Sequence, residues 1–353
     1  MFYWLYTYLD INIFQYITVR AGLGLLFSFL ITTTLLPFFI KFIKSKNCSQ
    51  PIYEYAPKTH KIKKGTPTMG GLVFIICTII CTLLTARLDN TYVLLGILLI
   101  TISCLIGVKD DLSKIFNNRN DKGLRPRVKF TLQIITSLII AAILYYYNHS
   151  TLLYIPFYKH ALFDMSYYSI IFWSLVIVSV SNSVNLTDGL DGLATVPSIF
   201  SLFTLCIIIY ITGHFIVSDY LLLPYVKDSG ELIILASCMI GSLIAFLWYN
   251  SHPAEVFMGD SGSLAIGSLI GYIGIVCKSE VLLFIIGFVF VIETISVILQ
   301  VLSFKLRKKR IFLMAPIHHH FEEKGWKENK IIIRFWIMAF LSNLIALFSL
   351  KFR

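Results

Sequence analysis

Charged side chains are scarce in this 353-residue sequence. Asp, Glu, Lys and Arg make up 14% of it, against 57% hydrophobic residues, whereas soluble domains carry roughly 25% charged residues. The mean hydropathy is +0.79. A chain with so little charge cannot cover a water-facing surface, so a soluble globular fold is excluded and lipid is the expected solvent.

Paired cysteines and a basic N-terminal start are also missing. The seven cysteines are scattered without a CxxC pair, which predicts small core residues and neither a disulfide nor a zinc site. Residues 1–20 are rich in aromatic side chains and contain one arginine. They lack the pattern of a secretory signal peptide and predict a short interfacial helix.

Long apolar windows fill most of the chain. Windows of about 20 residues with little charge are long enough to cross a hydrocarbon core of roughly 30 Å as α-helices. They predict an all-α polytopic membrane protein, one integral membrane domain over residues 1–353, with about ten transmembrane helices. The windows cover residues 19–43, 69–86, 91–108, 129–148, 167–187, 191–212, 230–249, 262–278, 280–304 and 331–350.

Positive charge is concentrated in three connections. Of the 30 Lys and Arg residues, 22 lie in residues 41–64, 109–129 and 305–330. Basic loops stay on the cytoplasmic side, and these connections follow the first, third and ninth windows. Alternating threading then places both termini on the periplasmic side. The net charge of +11 is explained by topology and an anionic substrate, and nucleic-acid binding is not expected.

The first two cytoplasmic connections carry polar residues that a plain turn would not need. The stretch HKIKKGTPTMGG brings Lys63 and Thr68 to the start of the second window, where unpaired N–H groups of a helix can bind phosphate. A basic flank with a threonine cap is the alternative. Asp110 and Asp111 end the third window, where the helix dipole disfavours carboxylates. They need a cation or a functional role, unless they are a solvated acid pair balanced by Lys109 and Lys114.

Two further connections contain aspartates beside glycines. In NSVNLTDGLDGL, Asp188 and Asp191 are three residues apart and would share one face of a helical turn. Carboxylates this near the membrane are costly and usually functional. In PAEVFMGDSGS, Asp260 lies at the mouth of the eighth window beside Phe257 and Gly259. A helix-capping aspartate is the alternative there.

The last connection carries three consecutive histidines. His318, His319 and His320 cannot all point one way, so phosphate binding by one or two is favoured over a three-histidine metal site; an incidental run is the alternative. Glu293 and Gln300 lie on one face of the ninth window and need polar partners. Gln300, nearer the cytoplasmic end, is the better candidate for a ligand contact.

These motifs, together with ETISVILQ and MAPIHHHFE, occur in one order along the chain. In that order they resemble the phospho-N-acetylmuramoyl-pentapeptide-transferase family, within the polyprenyl-phosphate N-acetylhexosamine-1-phosphate transferases. The resemblance covers essentially the whole sequence. It implies a Mg²⁺-dependent enzyme of the bacterial cytoplasmic (inner) membrane that joins UDP-N-acetylmuramoyl-pentapeptide to undecaprenyl phosphate. The products would be lipid I and UMP, in the first membrane step of peptidoglycan synthesis. Membrane lipid is a further partner, and a homodimer is left open.

Matching positions carry the family's roles onto this chain. Lys109 departs from the family pattern, because similar sequences generally carry an apolar residue before the aspartate pair. The resemblance implies catalytic roles for Asp110, Asp111 and Asp260, with Asp260 as the magnesium ligand; substrate contacts for Lys63, Thr68, Asn185, Asp188, Asn250, Gln300, His318, His319 and His320; and a uridine pocket of Gly189, Leu190, Asp191 and Phe257.

Two alternative functions stay open at this point. A related enzyme would use UDP-N-acetylglucosamine with the same carrier, although the MAPIHHHFE and PAEVFMGD segments favour the muramoyl branch. An ion transporter would explain Glu293 and Asp188 as intramembrane acids. Transporters usually show related halves and sites at the bilayer midplane, whereas these motifs cluster at the cytoplasmic ends of the windows.

Overall fold

A computed structural model describes residues 2–45, 65–116 and 123–352, which are almost entirely helical. Strand β1 (Leu152–Leu153) pairs antiparallel with β2 (Phe163–Asp164) in a small hairpin. The helices are α1 (Phe2–Leu9), α2 (Ile17–Ser45), α3 (Gly70–Thr85), α4 (Thr91–Phe116), α5 (Pro126–Tyr146), α6 (Tyr168–Thr187), α7 (Thr195–Thr212), α8 (Phe215–Tyr220), α9 (Leu232–Asn250), α10 (Asp260–Val276), α11 (Leu283–Ile286), α12 (Phe288–Arg307), α13 (Ile317–Glu323) and α14 (Glu328–Ser349).

Nine of the predicted windows each coincide with one of these helices, and window 280–304 covers α11 and most of α12. Eight helices of the described residues are long and apolar enough to cross a membrane, while α3 and α10 are apolar but shorter, with 16 and 17 residues. The protein is therefore a polytopic helical membrane protein, as predicted. Six of the seven cysteines are free, and Cys48 lies outside the described residues.

The centre of the bundle is α10. Every residue from Ser261 to Val276 is buried, because α10 packs against α3, α4, α6 and α7. Small residues allow this close approach, since bilayer-embedded helices associate through tight packing rather than through the hydrophobic effect. A Cβ on Gly107 of α4 would overlap the carbonyl group of Asp260. The end of α4 is thus held directly against the start of α10.

Polar residues collect at the two ends of the bundle. One end brings together the end of α4 and the starts of α5 and α10, where the predicted site residues lie. At the opposite end, Arg20 of α2 forms a two-pronged ion pair with Glu231, at 2.5 and 2.8 Å. Glu231 also accepts a hydrogen bond from the backbone N–H of Arg87. Both side chains of the ion pair are buried, so removing one would leave an uncompensated charge.

We expect Arg20→Met to lower the free energy of unfolding by on the order of 3 kcal/mol, because Glu231 would lose its buried counter-charge. Asp89→Asn is the matched control. It breaks the exposed pair between Arg87 and Asp89 at the same end, and exposed pairs contribute about 1 kcal/mol or less. Thermal unfolding in detergent measures both variants. Equal melting temperatures for the two variants would contradict the expectation.

A buried histidine lies at the same end, after α5. The Nδ1 atom of His149 accepts from the hydroxyl of Tyr92 at 3.3 Å, and its Nε2–H donates to the carbonyl of Ile275 at 3.1 Å. The carbonyl of Ile275 can only accept, so Nε2 carries a proton. Burial and the nearby ammonium group of Lys278 lower the pKa of His149 to about 4. The ring is therefore neutral in the folded protein at physiological pH.

This histidine should make the protein sensitive to acid. Its unfolded pKa is about 6.5, so between that pH and 4 the unfolded chain binds a proton that the folded chain does not. The contribution of neutral His149 to the free energy of unfolding is fully present above pH 6.5, and it falls by about 1 kcal/mol for each pH unit below that. Lowering the pH from 7.5 to 5.5 should therefore lower the melting temperature of the wild type more than that of His149→Gln. The exposed His160 supplies the control His160→Gln, which should follow the wild type.

Candidate active site

Three aspartates meet where α4 ends and α10 begins. Carboxylate oxygens of Asp110, Asp111 and Asp260 lie within 4.8 Å of one another. Asp110 and Asp111 are 3% and 4% exposed. Like charges this close repel one another strongly in a low-dielectric setting, so each carboxylate needs partners that offset its charge.

Asp111 is stabilised by the start of α10. Its two oxygens accept from the backbone N–H groups of Asp260 and Ser261, both at 3.1 Å. These N–H groups carry the positive end of the α10 dipole, which offsets the unfavourable position of Asp111 near the end of α4. Both oxygens of Asp111 are used in this contact, and it fixes the backbone of Asp260.

Two lysines neutralise the other two aspartates. The Nζ of Lys114 lies 2.6 Å from Asp110 Oδ2 and 3.1 Å from Asp260 Oδ2. The Nζ of Lys129, on α5, lies 2.5 Å from Asp260 Oδ2. Sequence reasoning predicted neither as a site residue, because it counted Lys129 among the basic flanks and considered Lys114 only as a counter-charge of a solvated acid pair. The spacing from Asp110 to Lys114, one helical turn, was the available signal. Lys109, by contrast, is exposed.

Neutral donors hold the remaining oxygens of Asp110 and Asp260. The side-chain amide of Asn185 on α6 donates to Asp260 Oδ1 and to the hydroxyl of Ser263, both at 2.8 Å. The backbone N–H of Leu124 donates to Asp110 Oδ1 at 2.7 Å. Asn185, predicted to contact substrate, thus lies in the aspartate cluster itself.

The aspartate cluster has the chemistry of a magnesium site. Mg²⁺ takes oxygen ligands and is usually held by one or two carboxylates, with substrate phosphates and waters. Asp110 Oδ2 and Asp260 Oδ2 are paired with lysine ammonium groups, whose flexible side chains can turn towards phosphate oxygens. The residues present therefore fit Mg²⁺. Asp111, committed to the start of α10, fits a supporting role.

Thr68 lies at the edge of this cluster. Its hydroxyl is buried without a hydrogen-bond partner among the described residues, beside Gly259. Pro67, the residue before Thr68, is bonded to the PAEVFMGDSGS segment, because Phe257 N–H donates to the carbonyl of Pro67 at 2.9 Å. The N–H groups of Gly70 and Gly71 donate to backbone carbonyls. The prediction that the start of the second window binds phosphate is therefore wrong for these two N–H groups.

The segment after α6 forms turns rather than the predicted helical turn. Asp191 is buried, and its Oδ2 accepts from the backbone N–H of Ala254 and contacts Nδ1 of His252, both at 3.1 Å. Asp188 is partly buried. Burial, together with the carboxylates of Asp260, Asp111 and Asp191, raises the pKa of Asp188 to about 8. The two aspartates thus have separate surroundings.

Asn250 ties the same segment to the end of α9. Its Oδ1 accepts from Gly192 N–H and from the hydroxyl of Thr195, both at 3.0 Å, and its Nδ2 donates to the carbonyl of Val256 at 2.9 Å. Leu190 is buried in the hydrophobic cluster formed with α14. Asn250 therefore holds the loops in place, and its predicted substrate contact stays a prediction.

The three histidines point in different directions, as expected from their spacing. His318 is buried, with Nδ1 3.0 Å from Glu293 Oε2 on α12 and Nε2 unpaired among the described residues. A Cβ on Gly189 would overlap its ring, so only glycine fits there. His319 contacts Glu322 at 2.6 Å, and His320 accepts from Leu313 N–H at 3.1 Å. Glu293 thus orients His318, a role that the sequence did not indicate.

Gln300 supports the loop that follows α12. Its Oε1 accepts from the N–H groups of Ile311 and Phe312, and its Nε2 donates to the carbonyl of Phe312, all at 3.0 Å. Its predicted substrate contact is untested. Lys63, the remaining predicted substrate residue, lies outside the described residues.

Comparisons with known proteins agree with this geometry. A model described as glycosyl transferase family 4 matches residues 90–278, and the phospho-N-acetylmuramoyl-pentapeptide-transferase signature 1 matches residues 63–75. These matches contain the aspartate cluster and Thr68.

Full-length relatives point to the same family. The chain is 61% identical to the phospho-N-acetylmuramoyl-pentapeptide-transferase of Aliarcobacter butzleri over 353 residues, which cover 100% of both chains. It is 58% identical to the proteins of that name from Campylobacter curvus and Nitratiruptor sp., again over 100% of each chain. With such similarity along its whole length and three aspartates converging at the matched motifs, the chain belongs to the phospho-N-acetylmuramoyl-pentapeptide-transferase family.

Proposed function

We propose that this protein transfers phospho-N-acetylmuramoyl-pentapeptide from its UDP-linked donor to undecaprenyl phosphate, giving lipid I and UMP. The reaction depends on Mg²⁺ and is the first membrane step of peptidoglycan synthesis. The observation that carries the proposal is the cluster of Asp110, Asp111 and Asp260, neutralised by Lys114 and Lys129 at one end of a membrane bundle. Such a site suits a reaction between two phosphorylated substrates, one of them a lipid.

The proposed topology has ten spans in the bacterial inner membrane, both termini in the periplasm and the aspartate cluster facing the cytoplasm. The basic connections 41–64, 109–129 and 305–330 follow helices α2, α4 and α12, which agrees with cytoplasmic placement. Helices α3 and α10 cover about 24–26 Å at 1.5 Å per residue, slightly less than a hydrocarbon core of roughly 30 Å.

Catalysis in this site consists of positioning and charge neutralisation. When bound, Mg²⁺ would be held by Asp260 and Asp110 and would offset negative charge on the pyrophosphate of the donor. Lys114 and Lys129, which lie beside these carboxylates, bind phosphate oxygens of the substrates. Asp111 keeps Asp260 in place through the start of α10.

The lipid phosphate attacks directly. A phosphate monoester has a second pKa of about 6, so the acceptor is largely a dianion at pH 7 and needs no strong base. Its oxygen forms a bond to the phosphorus that carries the sugar, and the bond from that phosphorus to the oxygen of UMP breaks. Asp110 orients the acceptor or takes its residual proton. The competing route has an aspartate attack first, giving a phospho-enzyme that the lipid resolves.

The donor binds on the side formed by the 188–192 turns and the 250–258 connection. Gly189, Leu190, Asp191 and Phe257 form the uridine pocket, and Asp188, Asn185, Thr68, Lys63 and the histidines contact the rest of the donor. Asn250 and Gln300 act by fixing loops, since their amides bond to backbone groups. His318, oriented by Glu293, presents Nε2 beside Gly189. Membrane lipid surrounds the bundle, and a homodimer stays open.

The first test is UMP release in detergent with undecaprenyl phosphate and Mg²⁺, using the muramoyl-pentapeptide donor and UDP-N-acetylglucosamine separately. We expect release from the muramoyl donor only. Asp260→Asn should lower kcat by about 100-fold or more, because it removes charge stabilisation at the reacting phosphates. Asp89→Asn, at the other end of the bundle, should retain wild-type activity. Release from the other donor would reassign the substrate, and no release from either would refute the proposal.

Direct attack is tested without the lipid acceptor. The protein is incubated with Mg²⁺ and a donor labelled at the phosphate next to the sugar, then denatured and analysed for labelled peptides. We expect no labelled protein, because the lipid phosphate is the nucleophile. The same mixture with undecaprenyl phosphate should give labelled lipid, which shows that the sample is active. Label on an aspartate would establish the two-step route instead.

A further inference from the structure

A cavity of about 650 Å³ opens beside the aspartate cluster. Its walls come from the end of α4, the first turns of α5, the last turns of α6 and the start of α10. Asp110, Lys114 and Asp260 line it at the cluster, and it continues to the facing polar pair of Gln133 on α5 and Asn182 on α6. Neither member of this pair is assigned a role above. A polar pair inside two membrane helices is costly unless it has a partner or a function.

The side chain of Asn182 determines which way Gln133 faces. Asn182 Nδ2 donates to the carbonyl of Val178 one turn earlier on α6, at 2.8 Å, and also to Gln133 Oε1 at 3.0 Å. Since Asn182 presents a donor, the oxygen of Gln133 must face it. The amide nitrogen of Gln133 is then left without an acceptor among the described residues, although the residue is only 7% exposed. A buried, unmade donor costs roughly 1–3 kcal/mol.

Gln133 lies one turn after Lys129 on the same face of α5, about 6 Å further into the bundle. Together they supply an ammonium group and a neutral N–H donor along one wall of the cavity. Among the described residues, neither an aspartate oxygen nor Asn182 accepts a hydrogen bond from Gln133 Nε2. An anion with several acceptor oxygens would satisfy both residues at once.

The cavity is also bordered by an apolar side chain. Phe130 lines it next to Lys129 and is 50% exposed, in a helix whose outer surface is apolar. None of the four uridine-pocket residues lines this cavity. A ligand with an anionic group at helix depth and a hydrocarbon remainder fits these walls.

We propose that Lys129 and Gln133 form the subsite for the phosphate of the lipid acceptor, with Asn182 as the positioning residue that fixes the Gln133 amide. The subsite rests on the proposed function, and it adds the position at which the lipid acceptor binds before the reaction. A phosphate oxygen accepts from Gln133 Nε2 and another from Lys129, while the isoprenoid chain leaves past Phe130. The phosphate then lies beside Asp110 and Asp260, where the donor phosphorus is held.

The test separates the two substrates kinetically. Gln133→Leu keeps the volume and removes the donor, so it should raise KM for undecaprenyl phosphate about tenfold or more, with KM for the UDP-linked donor unchanged and kcat near wild type at saturating lipid. Asn182→Leu should raise the same KM less. The double variant should resemble Gln133→Leu alone, because Asn182 acts through Gln133. Thr136→Val is the matched control one turn on, because its hydroxyl donates to the carbonyl of Leu132 at 2.8 Å within α5.

A binding titration tests the subsite independently of whether the protein catalyses the proposed reaction. Undecaprenyl phosphate, undecaprenol and inorganic phosphate are each added to the wild type and to Gln133→Leu in detergent, and melting temperatures are recorded. We expect stabilisation of the wild type by undecaprenyl phosphate alone, weakened in the variant. An effect of Gln133→Leu on the donor KM, equal stabilisation of both proteins by undecaprenyl phosphate, or stabilisation of the wild type by inorganic phosphate would overturn the subsite. A wild type that releases no UMP but still binds the lipid phosphate through Gln133 would refute only the reaction.

Discussion

The site depends on how three carboxylates are kept together at the end of a membrane helix. Asp111 is the central member, because its oxygens accept from the first N–H groups of α10 while its backbone belongs to the last turns of α4. One contact therefore joins two helices, offsets one charge with a helix dipole and sets the position of Asp260. Lys114 and Lys129 can neutralise Asp110 and Asp260 only because this contact fixes where the two carboxylates lie.

The helices could be predicted from the sequence because lipid sets both their length and their composition. Eight of the ten windows match a single helix to within four residues at each end, whereas α4 extends eight residues past window 91–108 and window 280–304 is divided between α11 and α12. The turn carrying Asp188 and Asp191 was predicted as one helical face from a spacing of three residues. In the structure Asp191 faces Ala254 and His252 instead. Those partners are about sixty residues away in the chain, and a local spacing contains no information about them.

The acids of the site were recognisable because carboxylates near a membrane are costly and usually functional, which outweighed a solvated acid pair or a helix cap as the explanation. The lysines were not, because a basic flank already has a topological explanation, and Lys129 looks like any other flanking charge. Gln300 was correctly marked as needing a partner, and the family resemblance implied a substrate contact for Asn250. Whether those partners are a ligand or a loop backbone depends on the tertiary fold, which brings Val256 and Phe312 to them.

The unequal lengths of the helices place the aspartate cluster in a recess. Helix α4 continues from Asp110 to Phe116, about 9 Å beyond the level at which α10 starts, and α3 and α10 are the short apolar helices of the bundle. The reacting groups thus lie about 9 Å below the end of α4. A water-soluble substrate descends to its membrane-bound partner, and the polyprenyl chain never has to leave the bilayer, which would cost about 0.8 kcal/mol for every methylene exposed to water.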